Sequence, residues 1–370
     1  MKHGDNKFIN NEMRIAMILY FFIAVLFLLS KISGGVFVKK RIIPLVTCLL
    51  ISCCGIILHH CSKQASSKHP IVFITFVEFK EELHPLKVMI ESLRTFGGKY
   101  KDATVWIYTT DELMTSESET LAKFTSLNVE FRTGQAPQDA TWFFLARKVF
   151  AAAQAESDAV GKASILVRLD TDTIIIQEPS EYILPRGVSL GYRPVFHRNI
   201  NPLYNEPLDV YWTRAYQIMG IQESTVFPMA TPADGDTIRP YFQAGCIVVR
   251  PDRSILRKWA EMFTALYQDS VIKEICKQDQ RKRIFTFQVA LTGAILNSLN
   301  RSEMIQFSDR INYPIFFKEM FGAKRDFHDI TNAVTIRYEH FFVNPPADWD
   351  KQLNGPEDRI AWIKEQFSKR

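Results

Sequence analysis

The chain has 370 residues, 45 of them Lys or Arg and 40 Asp or Glu, for a formal charge of +5. These charges are interspersed, so there is no basic stripe of the kind that binds nucleic acid, and no nucleic-acid partner is expected. Of six cysteines, only Cys246 and Cys276 lie beyond residue 70, which leaves no disulfide framework and no CxxC metal knuckle.

At the N-terminus, residues 15–32 carry one charge, Lys31, and residues 42–58 carry none. Each approaches the roughly 17–25 apolar residues that cross a bilayer as a helix. At least one membrane span is expected within 1–58, as a single helix or a hairpin. The cluster Val38-Lys39-Lys40-Arg41 between them favours the cytoplasmic side. One span by the second stretch puts the body on the far side, and a hairpin keeps both ends together. The body beyond these stretches is thus expected to be membrane-anchored, on the cytoplasmic face or in a Golgi-type lumen. A signal peptide is the alternative, Leu50-Ile51-Ser52-Cys53 fitting a lipobox loosely.

Residues 59–69 are small and polar and read as a stem, so the folded body is expected over 70–345. Residues 71–77 are a continuous apolar run, the pattern of a strand buried on both faces, and 83–96 has helical spacing. A strand at 103–109, a helix at 112–125, a strand at 127–132 and a helix at 141–155 follow. Residues 164–176 then read as a fourth strand, interrupted by acids. Strand alternating with helix predicts an α/β fold with a mostly parallel sheet covered on both faces. Beyond it come short strands at 187–193 and 245–250, separated by a loop-rich insertion at 194–242. Helices are expected at 253–268 and 284–298, and a C-terminal helix at 356–368, within a terminal segment 346–370.

The strongest chemical signal is Leu166-Val167-Arg168-Leu169-Asp170-Thr171-Asp172-Thr173. A strand ending in two carboxylates one residue apart puts them at the carboxyl edge of a sheet, where open α/β folds bind ligands. Carboxylate oxygens with open positions beside them suit Mg²⁺ or Mn²⁺, hard cations that prefer oxygen. Such an ion would neutralise charge developing on a departing nucleoside diphosphate.

The order of this strand, Glu178-Pro179, and then Tyr241-Phe242-Gln243-Ala244-Gly245-Cys246-Ile247-Val248-Val249-Arg250-Pro251 resembles the glycogenin-related family 8 glycosyltransferases and the wider GT-A superfamily. The resemblance covers roughly 70–345. It implies a GT-A mixed, mostly parallel sheet with helices on both faces. It also implies transfer of a hexose from a nucleotide-diphosphate sugar, UDP-linked, to a hydroxyl of a glycan, lipid or protein, with retained configuration. Asp170 and Asp172 would then hold metal and donor, and Gln243, Ala244 and Gly245 would line the sugar pocket. Arg147 or Lys148 would face the donor, and Thr75 and Phe76 would lie near its base. The sequence departs from the pattern in three places. Gln243 replaces an Asn; Thr286-Phe287-Gln288 stands where Asp-Gln is usual, leaving Gln288 on the catalytic side; and the motif HxxGxxKPW is missing. The nearest replacement for its metal ligand is His340, in Arg337-Tyr338-Glu339-His340.

Two other classes fit parts of the chain. Asp170-Thr171-Asp172-Thr173 also matches the DxDxT box of haloacid-dehalogenase-like phosphatases, whose first Asp is a nucleophile. That box belongs on the opening strand of its fold, whereas three strand–helix units precede it here. The altered motifs also suit a binding protein that keeps the GT-A fold without turnover.

Overall fold

The computed structural model describes residues 71–368. The expected membrane segment and stem, 1–58 and 59–69, lie outside them. No helix among the described residues is long and apolar enough to cross a membrane.

Among the described residues the main sheet has seven strands: β1 (Ile71–Val77), β2 (Val105–Thr109), β3 (Val129–Thr133), β4 (Ile165–Leu169), β6 (Leu190–Pro194), β9 (Phe242–Val249) and β10 (Met304–Gln306). Their order is β10-β6-β9-β4-β1-β2-β3. β4, β1, β2 and β3 run parallel, as do β6 and β10, and β9 runs antiparallel to β4 and β6. The sheet is therefore mostly parallel, as its hydrophobic runs predict. β1 shows the reason: Val72, Ile74 and Phe76 face one core cluster while Ile71, Phe73 and Val77 face the other, so no position is left for a polar side.

Helices cover both faces. α1 (Leu83–Phe96) buries its stripe in the cluster under one face. On the other face lie α2 (Ala146–Ala159), α3 (Val210–Met219), α4 (Ile255–Gln268), α5 (Ser270–Gln278) and α6 (Gln280–Ser298). The expected helix over 112–125 is two short ones, Asp111–Ser116 and Ser118–Ala122. The insertion at 194–242 is more ordered than a loop-rich reading allows. It contains α3, capped by the Asp209 carboxylate accepting from the Trp212 amide at 2.8 Å and buried through Tyr211, Trp212, Tyr216 and Met219.

The run 164–176 is two strands in two sheets. After β4 the chain turns at Asp170–Asp172 and continues as β5 (Thr173–Ile175), in a small sheet with β11 (Tyr313–Pro314) and β12 (Thr335–Arg337). Between β6 and β9, β7 (Met229–Ala230) and β8 (Thr237–Ile238) pair as a ribbon. The C-terminal helix α7 (Glu357–Ser368) closes the aromatic cluster around the small sheet, with Ile363 fully buried and Phe367 stacked on Phe342 at 4.0 Å.

Candidate active site

The acidic pair sits where the two sheets diverge. Alternation along β4 puts Leu166 and Arg168 on the face of α2, α4 and α6, and Asp170 follows at the strand's end on that same side. The Asp170 amide donates to the Gly245 carbonyl at 2.9 Å, so the residues expected in the sugar pocket lie beside the acids. A cleft of about 230 Å³ opens there, and among the residues lining it are Lys148, Asp170, Gln243, Ala244, Gly245 and Gln288. The Gln243 side chain folds back, its Oε1 accepting from the Gly245 amide at 3.0 Å. Gln288, on α6, is 4% exposed and its Nε2 is buried without a hydrogen-bond partner.

A second pocket adjoins the first, the two sharing Leu145 and Lys148. Glu78, Phe79, Phe144, Ala146 and Arg147 also line it. Phe79 and Phe144 are 58% and 57% exposed. Thr75 and Phe76, expected near a base, do not reach it. Both are in the core, at 3% and 5% exposure, because they lie inside the strand rather than beyond its end. Arg147 is engaged by Glu78 at 3.4 Å. The helix expected from residue 141 begins only at Ala146, and Leu145 before it takes φ +61, a left-handed conformation that disfavours a side chain with a Cβ.

Both oxygens of Asp170 and one of Asp172 are ion-paired. Asp170 Oδ1 accepts from Arg168 Nη2 at 2.8 Å and lies 3.7 Å from Lys148 Nζ, and Oδ2 accepts from Arg337 Nη1 at 2.9 Å. Arg337 Nη2 is 3.2 Å from Asp172 Oδ2, and Arg337 Nε donates to Glu339 at 2.7 Å. Arg168 also donates to the Ala244 carbonyl. Burial opposes ionisation of Asp170, yet Arg168, Lys148 and Arg337 together hold its carboxyl well below the usual range. Asp172 goes the other way: burial, with Glu339 and Asp170 adding to it and Arg337 opposing, pushes it up to about 7. Gly245 makes the arrangement possible, since a Cβ there would meet Asp170 Oδ2 at 2.8 Å and run into Arg337 Nη1.

The expected metal site is corrected by this geometry. His340 is exposed on the turn after β12, its ring edge-on to Phe321. β12 ends at Arg337, and that side chain, not His340, reaches the acids. Both oxygens of Asp170 are taken by buried guanidiniums. The guanidiniums already neutralise these carboxylates, so a divalent cation would have to displace them. Among the described residues, Glu319, Asp326 and His328 alone form a three-residue group with ligand atoms within 4.8 Å of one another, and they line neither pocket. Asp170, Asp172 and His340 therefore do not fit Mn²⁺ or Mg²⁺. Arg168 is a lone charge inside an apolar strand and Arg337 ends another, a pattern that a buried ion pair explains.

A mostly parallel sheet with one antiparallel strand, and a paired-acid turn facing Gly245 of β9 across a cleft, fit the GT-A arrangement expected from the sequence. The phosphatase reading falls with it, because Asp170 ends the fourth strand in chain order and is paired with guanidiniums. The model of the Rhodobacterales glycosyltransferase domain matches residues 81–298, more than half of the chain, and the chain belongs to that family. No curated protein matches. Among solved structures, the galactosyltransferase LgtC, in complex with donor and acceptor sugar analogues, is 15% identical with a TM-score of 0.43, over 80% of this chain and 94% of that one. Mouse xyloside xylosyltransferase 1 is 10% identical with a TM-score of 0.41, over 73% and 97%.

Proposed function

We propose that this glycosyltransferase moves a hexose from a nucleotide-diphosphate sugar, UDP-linked, to a hydroxyl of a glycan, lipid or protein, with retained configuration. The observation that carries this reading is the pair of adjoining pockets with Lys148 at their junction. A diphosphate needs a cation midway between a nucleoside and a sugar, and the N-terminal turn of α2 at the same place favours an anion through its dipole. The sugar then occupies the cleft beside Gln243–Gly245 and Gln288, and the base lies between the exposed rings of Phe79 and Phe144. The bond from the anomeric carbon to the diphosphate oxygen breaks, the acceptor oxygen bonds to that carbon on the same face, and the acceptor's proton passes to the departing diphosphate oxygen. Gln288 contributes an amide whose Nε2 is otherwise unpartnered, at the sugar.

The catalytic domain is read as 70–345 with a C-terminal segment 346–370, anchored to a membrane through 1–58 by way of a stem at 59–69. The apolar runs 15–32 and 42–58 support the anchor. The test is release of nucleoside diphosphate from a panel of nucleotide sugars, with the anomer of the product read by NMR. Gln288→Ala is expected to lower turnover by about a hundredfold, the scale of one lost transition-state hydrogen bond, at unchanged thermal midpoint. Absence of release from every donor, with and without added hydroxyl acceptors, would sink the proposal.

A further inference from the structure

We infer that the positive charge against the donor's diphosphate comes from Lys148, left available because Arg337 and Arg168 neutralise Asp170, without a divalent cation; this rests on the donor reading above. Three observations lead there. The first is how Arg337 is built in. Its backbone is registered opposite Thr173 in the small sheet, and its carbonyl accepts from the Ile315 amide at 3.0 Å. Its side chain is 8% exposed and is seated in the space that Gly245 leaves open. Glu339, which takes up Arg337 Nε, has φ +48, a left-handed conformation uncommon for a non-glycine residue.

The second is Arg168. At 4% exposure on the central strand, beneath the Trp259 ring at 5.8 Å, it is as fixed as the sheet that carries it. Together the two guanidiniums satisfy both oxygens of Asp170.

The third follows from this. With Asp170 satisfied by the arginines, Lys148 stays 3.7 Å from Asp170 and 3.8 Å from Glu82. Those are ion-pair distances, longer than a hydrogen bond. Its ammonium donors thus remain available where the two pockets meet. With the guanidiniums neutralising the acids behind it, the Lys148 ammonium supplies the pre-oriented charge that otherwise falls to a metal.

The experiment is isothermal titration of the detergent-solubilised full chain with UDP, GDP, ADP and CDP, once with excess EDTA and once with Mn²⁺. For the diphosphate that binds, the expected Kd in EDTA lies within about threefold of that in Mn²⁺. Lys148→Ala is expected to weaken binding in EDTA by roughly tenfold or more, as for a lost charged hydrogen bond, and Lys148→Arg to recover most of it. Binding that vanishes in EDTA and returns with Mn²⁺ overturns the inference and leaves the donor reading intact. Wild-type binding by Lys148→Ala also overturns it. If no diphosphate binds in either buffer, the donor reading itself fails and takes this inference with it.

Discussion

Asp172 carries the most unusual environment of any single residue at the site. One oxygen meets Arg337 at 3.2 Å, while Oδ1 is buried with no hydrogen-bond partner. Arg337, Glu339, Asp170 and Lys148 surround it, and burial outweighs their balance to push its pKa up to about 7 from the usual 3.8. Between those values the folded protein keeps a proton that the unfolded chain releases. Asp172 therefore adds stability as pH falls from 8 to 5 and removes it as pH rises. His197, whose imidazole burial holds below its ordinary value, works in the opposite direction over the same window. The informative quantity is thus the difference between wild type and Asp172→Asn. The thermal midpoint of wild type, relative to the variant, is expected to climb by a few degrees from pH 8 to pH 5. A parallel pH dependence in the two proteins would refute the assignment. The presence of two acids at a strand's end was legible in the sequence. Their partners were not, because Arg337 lies far along the chain and meets Asp170 only when β12 pairs with β5.

Among the elements, α6 shows how packing replaces pattern. It is apolar on nearly every face, so helical periodicity locates its middle and not its start. The Asp279 carboxylate accepting from the Lys282 amide sets its N-terminus at Gln280, four residues before the periodicity indicates. Its contact with α3 depends on Gly293, where a Cβ would run into Met219 Sδ. Gly293→Ala is expected to destabilise the fold by about 1–3 kcal/mol through overpacking, read by chemical denaturation. Met219→Ala in the same chain should make the double variant less destabilised than the sum of the two single changes. Additive losses would show that the two helices do not share that contact. α3 was hidden in the insertion because its Tyr and Trp residues, favoured in strands and loops as well, give no clear helical stripe.

At the scale of the whole molecule, the proposed anchor predicts that the full chain sediments with membranes, resists extraction by high salt and alkaline carbonate, and is released by detergent. Release by salt alone would contradict an anchor formed by 15–32 or 42–58. Six of the seven strands of the main sheet, much of its helical cover and the position of the acidic turn followed from the sequence by itself, because long apolar runs at regular spacing leave a chain few ways to bury them. The tertiary structure alone decided what the acids hold. It split one apparent strand between two sheets, moved Thr75 and Phe76 into the core, turned His340 outward, and brought Arg168 and Arg337 onto Asp170. The reason is that local pattern reports which residues must be buried. Arg337 meets Asp170 only through the pairing of β12 with β5, segments more than a hundred residues apart.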